Sequence, residues 1–284
     1  MNGSNINRAI GYRINEKLFY FMVFGVFFLI CFPIFWAVLC SFKTHEEMFS
    51  VPLKIIPSTL TIEHYKKLIL STQIPKFFFN SLIVATGTSF LTVFIASLAA
   101  YSLTRFPFPG IGLAARSILF CYMLPPVLLS IPFFLMLNKV HLLNSRIGLL
   151  YCHTSLALPF VIWLFWGFFR TIPVDIEEAA KIDGSSRMRI LVDIFFPLAL
   201  PGIVAGFVFT FIVSWSDYLF SSIILTKESV QTLPVAIATI TAKDFITWEV
   251  VLPAMGLATI PVLLITIVLQ KYLLEGFSAP IVKG

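Results

Sequence analysis

Charge is what this sequence has little of. Only 12% of its 284 residues are Asp, Glu, Lys or Arg, about half the roughly 25% of an ordinary soluble domain. It has no GxxxxGKS or GxxxxGKT stretch, so it carries no phosphate-cradling loop with which to hydrolyse ATP itself. HExxH and a Ser/His/Asp arrangement are missing too, which leaves no recognisable hydrolytic centre. Cysteine is scarce: Cys31, Cys40, Cys121 and Cys152 all sit in apolar stretches. With no CxxC pair and no His at metal spacing, they are expected to be inert thiols, and no metal is expected. No charged side chain occupies the centre of any long apolar run, whereas ion-coupled pumps usually carry intramembrane carboxylates or basic residues. No internal repeat of the kind many secondary transporters show is visible either.

What fills the space is oil. Hydrophobic residues make up 58% of the chain and the mean hydropathy is +0.95. Six windows contain no charge: Leu18–Phe42, Phe77–Thr104, Ser117–Asn138, Ile147–Phe169, Ile194–Ser216 and Val250–Gln270, each 21 to 28 residues long. A helix crosses a hydrocarbon core of about 30 Å with about 20 apolar residues. In lipid the backbone must satisfy its own hydrogen bonds, so such windows form helices. The expected fold class is therefore an all-α polytopic membrane protein with six transmembrane helices. The first run is too long for a signal peptide and lacks a small-residue cleavage site, so it reads as a retained span. The net charge of +6 marks the ends of the runs and forms no patch, which excludes nucleic acid as a partner and fits loops at a lipid surface. With the N-terminus inside, Arg8, Arg13, Arg105, Arg116, Arg170, Arg187 and Arg189 are cytoplasmic and only Arg146 is outside; the lysines Lys43, Lys54, Lys66, Lys67 and Lys76 of the first outer loop break the pattern. The expected division is a cytoplasmic leader over residues 1–17, the first span and outer loop over 18–75, a core over 76–272 and a cytoplasmic tail over 273–284.

Along the chain, Pro52, Pro57 and Pro75 limit regular structure in the outer loop, where a capped amphipathic turn is expected over Thr61–Leu68 and His45 and His64 are expected to be solvated. Asn80 and the small residues Ser81, Gly87, Ser89, Ala96, Ser97, Ala99 and Ala100 suit close helix approach. Pro125-Pro126 and Pro132 break the third window, a feature tolerated where a neighbour or a watery cavity satisfies the freed carbonyls. His153 is expected to be packed or interfacial, and Asp217 to lie near the outer end of the fifth span.

One polar island interrupts the second half of the chain. Thr171 to Asp193 gathers Asp175, Glu177, Glu178, Lys181, Asp183, Arg187, Arg189 and Asp193. Pro173 suits the start of a helix, and the carboxylates after it complement its positive end. Gly184 supplies a left-handed stop, and Ser185 or Ser186 can cap a second helix running into the fifth span. Ile172, Ile176 and Ala179/Ala180 are expected on one face, with Glu177, Lys181 and Gly184 on another. Physics alone leaves two readings open: a knob that docks into a cytosolic partner, or amphipathic helices lying on lipid.

The spacing Glu178-Ala179-Ala180, three residues, Gly184, nine residues, Ile194, one residue, Phe196-Pro197 resembles the signature loop of ABC importer permeases, with Phe196 where the family has Leu. Asn80–Val84, Ala99–Phe106, Leu158-Pro159-Phe160, Trp166–Phe169 and Gly276–Gly284 are similar to carbohydrate-type members, in particular the six-span permease of maltose-type sugar importers. That resemblance implies a type I ABC importer permease fold with a cytoplasmic coupling helix between spans four and five. It implies a transport subunit rather than an enzyme, in the bacterial cytoplasmic membrane with both termini cytoplasmic. The implied partners are a second, homologous permease, two ATP-binding cassette subunits, an extracytoplasmic sugar-binding protein and membrane lipid. No cofactor is implied on this chain, ATP and Mg belonging to the ATPase subunits. Glu177, Glu178, Ala179, Ala180, Asp183, Gly184 and Arg187 are implied for ATPase coupling, with Glu178 at the centre, and Ser278–Gly284 for a second contact. Asn80, Trp215 and Asp217 are the residues expected on the substrate path. A stand-alone secondary transporter is the competing reading, and it gives the island no role. A lipid phosphotransferase, suggested by Asp183-Gly184-Ser185-Ser186-Arg187, fails for want of the GxxxDxxxD that should follow.

Overall fold

A computed structural model describes residues 4–52, 54–106, 109–242 and 247–278, and among these the only regular structure is helical. The chain divides into two compact units. One holds residues up to Thr72 with the opening of the last helix up to Leu257, and the other holds Gln73 onward with the rest of that helix from Ala258.

In the first unit α1 runs Ser4–Ser41, α2 His45–Met48 and α3 Glu63–Ser71. The apolar stretch of α1 is almost wholly exposed within the chain, as expected of a span that faces lipid or another subunit. Lys43 is fully buried: its ammonium donates to the Lys54 carbonyl at 2.6 Å and lies 4.5 Å from the Trp36 ring centre. His64 is buried as well, with Nε2 2.9 Å from the Lys43 carbonyl. The expectation of a solvated His64 is thus corrected: α3 is amphipathic, and His64 shares its inward face with Leu68. His45 is exposed and pairs with Glu249, which also binds Lys67 at 3.3 Å.

The second unit contains α4 Ile74–Arg105, α5 Ile111–Tyr122, α6 Pro126–Lys139, α7 Arg146–Phe169 and α8 Val174–Ile182. A single helical turn, α9 (Arg187–Arg189), leads through a π-helical segment, Ile190–Phe195, into α10 Phe196–Trp215. The short α11 Leu219–Ile224 and α12 Leu233–Thr241 follow, and α13 runs Trp248–Ser278. Helix α7 packs on both α4 and α10. Small residues of α4, among them Ala96 and Ala100, and Gly202 and Gly206 of α10 let aromatic side chains of α7 fill the space. Phe165, Phe169 and Phe195 form the buried heart of that contact. Lipid tails are as apolar as the helices, so close packing of this kind, more than hydrophobic exclusion, holds a membrane bundle together.

Among the described residues five helices are long and apolar enough to span a membrane, and α5 with α6 makes a sixth if the pair is one crossing. The third window is therefore not one straight span. Its two halves meet at 91°, because Pro125 and Pro126 carry no N–H and cannot continue the α5 ladder. The π-helical segment has a related cause: Pro197 cannot donate to Asp193, and Phe196 N–H instead reaches back five residues to the Leu191 carbonyl. Helix α13 continues to Ser278, past the expected boundary at 272. Residues 279–284 of the proposed tail contact, and Pro107-Phe108 of the expected turn after α4, lie outside the described residues.

Candidate functional site

The polar island folds as a helix, a turn and a second helix. Pro173 takes the N-cap position of α8 with extended backbone, and Asp175 and Glu177 follow in the first turn. The C-terminal stop is a Schellman motif: Ser185 N–H bonds the Ala180 carbonyl and Gly184 N–H the Lys181 carbonyl, each at 3.0 Å. Gly184 has φ +81°, in the left-handed region that a side chain disfavours. Ser186 then caps the next turn by accepting from Arg189 N–H at 3.3 Å.

The faces of α8 differ from the expected ones. Glu178, Ala179, Asp183, Gly184 and Arg187 are exposed, together with Ile176, Ile182 and Met188, whereas Glu177 and Ala180 are buried. Glu177 is 3% exposed because an arginine from another helix claims it. Arg105, the last residue of α4, donates from Nε to Glu177 Oε1 and from Nη2 to the Ile172 carbonyl at 3.0 Å. Tyr101 donates to Glu177 Oε2 at 3.2 Å, and the Arg105 guanidinium lies 5.2 Å from the Phe195 ring centre. Glu177 therefore anchors α8 to α4 and does not stand on the outward surface with Glu178. The outward surface combines carboxylates with exposed aliphatic side chains.

The three residues expected on the substrate path do not converge. Asn80 donates to the carbonyls of Gln231 (2.9 Å) and Ser229 (3.4 Å) and accepts from Arg146, so it holds the 228–231 turn. Trp215 donates to the Ala258 carbonyl at 3.0 Å and stacks on Phe211. Asp217, but neither of the other two, lines a cavity of about 510 Å³ between α4, α7, α10 and the broken α5–α6 pair. Asp217 accepts from Ser221 N–H at 2.8 Å, Ser221 Oγ at 2.9 Å and Phe220 N–H at 3.4 Å, capping α11. Burial raises its pKa, but the bonds to His153 and Ser221 outweigh that and hold the carboxyl below the usual carboxylate range. His153 Nε2 lies 3.1 Å from Asp217 Oδ2, and its Nδ1 2.8 Å from Ser214 Oγ. His153 is packed, as expected, yet it belongs to a polar cluster on the cavity wall. Thr88, also in the wall, carried no sequence signal that set it apart from the other small residues of its helix. Among the described residues no group of His, Cys, Asp and Glu could hold a metal.

A bundle of apolar helices long enough to cross a membrane, with one of them broken beside a mostly apolar cavity and an exposed charged loop, is the architecture of a polytopic membrane protein. Residues 92–278 match the family of binding-protein-dependent transport system inner membrane components, and the chain belongs to that family. It is thus a multi-pass inner-membrane permease, a transport subunit and not an enzyme. The inner membrane ABC transporter permease protein YcjP of Escherichia coli is 32% identical over 97% of this chain and 100% of its own. The trehalose/maltose transport system permease protein MalG of Thermococcus litoralis is 31% identical, covering 90% and 93%, and the diacetylchitobiose uptake system permease protein NgcG of Streptomyces coelicolor is 34% identical, covering 76% and 67%. The fold is also that of a solved bacterial ABC transporter involved in alginate import, with a TM-score of 0.77 at 20% identity over 96% of this chain and 99% of the other.

Proposed function

We propose that this chain is the six-span permease of an ATP-driven importer of a sugar or sugar derivative, forming half of the translocation path. The relatives named for trehalose/maltose and diacetylchitobiose uptake support the sugar class, and a solved relative in complex with a saccharide-bound periplasmic protein supports a binding-protein partner. A second permease completes the path, and two ATPase subunits bind ATP and Mg. Helix α8 is the coupling helix, with both termini and the 171–193 loop cytoplasmic. Glu178 meets a basic side chain on the ATPase, while Ala179, Asp183 and Arg187 complete the docking face around it. Ala180 and Glu177 serve from behind by holding the helix down.

The observation that carries this reading is the geometry of α8: a short helix closed by a left-handed glycine, presenting Glu178, Ala179 and Ile182 outward from an anchored inner face. A substitution at Gly184 tests it. Gly184→Asp strains the turn at positive φ without touching the bundle, since nothing lies within 4 Å of the position a Cβ would take. The expected result is a subunit that still inserts, with uptake abolished and ATP hydrolysis no longer tied to transport. Wild-type uptake in proteoliposomes would remove the coupling assignment.

A further inference from the structure

The cavity beside the α5–α6 break has a composition that goes further than the sugar reading on which this inference rests. Its wall contains Thr88, His153, Ser214 and Asp217 among its polar groups and Phe209 and Phe220 among its aromatic ones, and no Lys or Arg lines it. Two of the polar groups are incompletely served by the protein. Thr88 is 0% exposed and its Oγ1 has no hydrogen-bond partner, and His153, 4% exposed, leaves Nε2 without an aligned one although Asp217 is near. Buried polar groups normally find partners, so these atoms mark places where a ligand's hydroxyls belong. The volume of about 510 Å³ lies within the range of small-molecule sites, roughly 300–1,000 Å³.

We infer that this cavity is a subsite for a neutral sugar, and that it discriminates against anionic ones. Sugar hydroxyls both donate and accept, so they can bind Asp217 and Thr88 together while the C–H face of a ring lies on Phe209 or Phe220. A carboxylated, sulfonated or phosphorylated sugar would bring a second negative charge to Asp217 in a site of low dielectric with no Lys or Arg in its wall to compensate, and like charges repel strongly there. His153 does not offer a free countercharge, because its Nε2 already faces Asp217 Oδ2 at 3.1 Å and a second anion would have to compete for it.

Cys121 is a built-in reporter. It lines the cavity and is exposed, whereas Cys40 and Cys152 are buried and Cys31 is partly so. The test uses the purified transporter with its partner subunits, in nanodiscs, and follows N-ethylmaleimide modification of Cys121 by peptide mass spectrometry. Maltose, trehalose and diacetylchitobiose serve as neutral probes, an alginate trisaccharide and sulfoquinovosyl glycerol as anionic ones. At least one neutral sugar should slow modification, and the anionic ones should not. Thr88→Val removes a hydroxyl with no partner inside the protein, so folding should be unaffected while the protecting concentration rises about three- to tenfold, the worth of one neutral hydrogen bond. Asp217→Asn should let the anionic probes protect. Protection by anionic sugars in the wild type, protection by no sugar, or a Thr88→Val variant indistinguishable from wild type would overturn the inference. Uptake of the same sugars into proteoliposomes separates the two levels: transport without protection removes only the subsite, and absence of any sugar transport removes the importer reading with it.

Discussion

At the scale of single residues, the Arg105–Glu177 pair decides how α8 is held. Its side chains are 8% and 3% exposed, so neither can recover its hydration if the other is removed. Breaking a buried pair in this way costs about 3–5 kcal/mol, because a charge is left uncompensated. Arg105→Ala and Glu177→Ala should each lower the stability of the second unit by that order, and the double substitution should cost less than the two added together. Thermal unfolding of the three variants in detergent, with limited proteolysis after Lys181, reads both effects. A strictly additive cycle would mean that the two charges do not act as a pair. Glu178, one position along, should tolerate alanine with stability unchanged. This is also where the sequence was least legible. Gly184 declared its left-handed turn through local spacing alone, whereas Glu177 and Glu178 look alike until a partner 72 positions away is placed beside one of them. His64 was opaque for the same reason, and so were the partners of His153, though not its burial, since both histidines bond residues from elsewhere in the chain.

At the scale of elements, the helix contacts pair glycine on one helix with a large aromatic side chain on the other. A Cβ on Gly202 would lie 2.7 Å from Phe168 Cγ and 2.8 Å from Cδ1, so Gly202→Val must push α10 away from α7. Overpacking of this kind costs about 1–3 kcal/mol. Gly167→Ala is the matched control, because nothing stands within 4 Å of its Cβ position. Lowered thermal stability for the first variant and none for the second would bear this out; equal behaviour of the two would place the packing energy elsewhere. The elements themselves were largely written in the charge-free windows. Ile147–Phe169 corresponds to α7 Arg146–Phe169, and Phe77–Thr104 lies inside α4. The third window was legible as broken, through Pro125 and Pro126, but not as turned through 91°. Proline removes a donor and frees a carbonyl; how far the chain then swings depends on the packing of both halves, which no local pattern encodes.

At the scale of the whole molecule, that bend determines the topology. If α5 and α6 together cross the membrane, six crossings place the termini on one side and the 171–193 loop on the same side as the N-terminus. If the pair is re-entrant, five crossings place the loop on the other side, out of reach of a cytosolic ATPase. The arginines favour the first arrangement, and the lysines of the outer loop dilute that preference. Single cysteines introduced into a Cys121→Ser background can decide it, at exposed positions clear of the packed core. With six crossings, Glu46→Cys, Lys139→Cys and Lys227→Cys should react with a membrane-impermeant maleimide in spheroplasts, while Lys181→Cys should react only after the membrane is opened. Lys139 is the informative site, because it ends α6: a re-entrant pair would leave it on the same side as Arg105 and hide it along with the cytoplasmic positions. Labelling of Lys181 in intact spheroplasts would separate α8 from any cytosolic ATPase and leave the Schellman turn and the Arg105–Glu177 anchor without the role proposed for them.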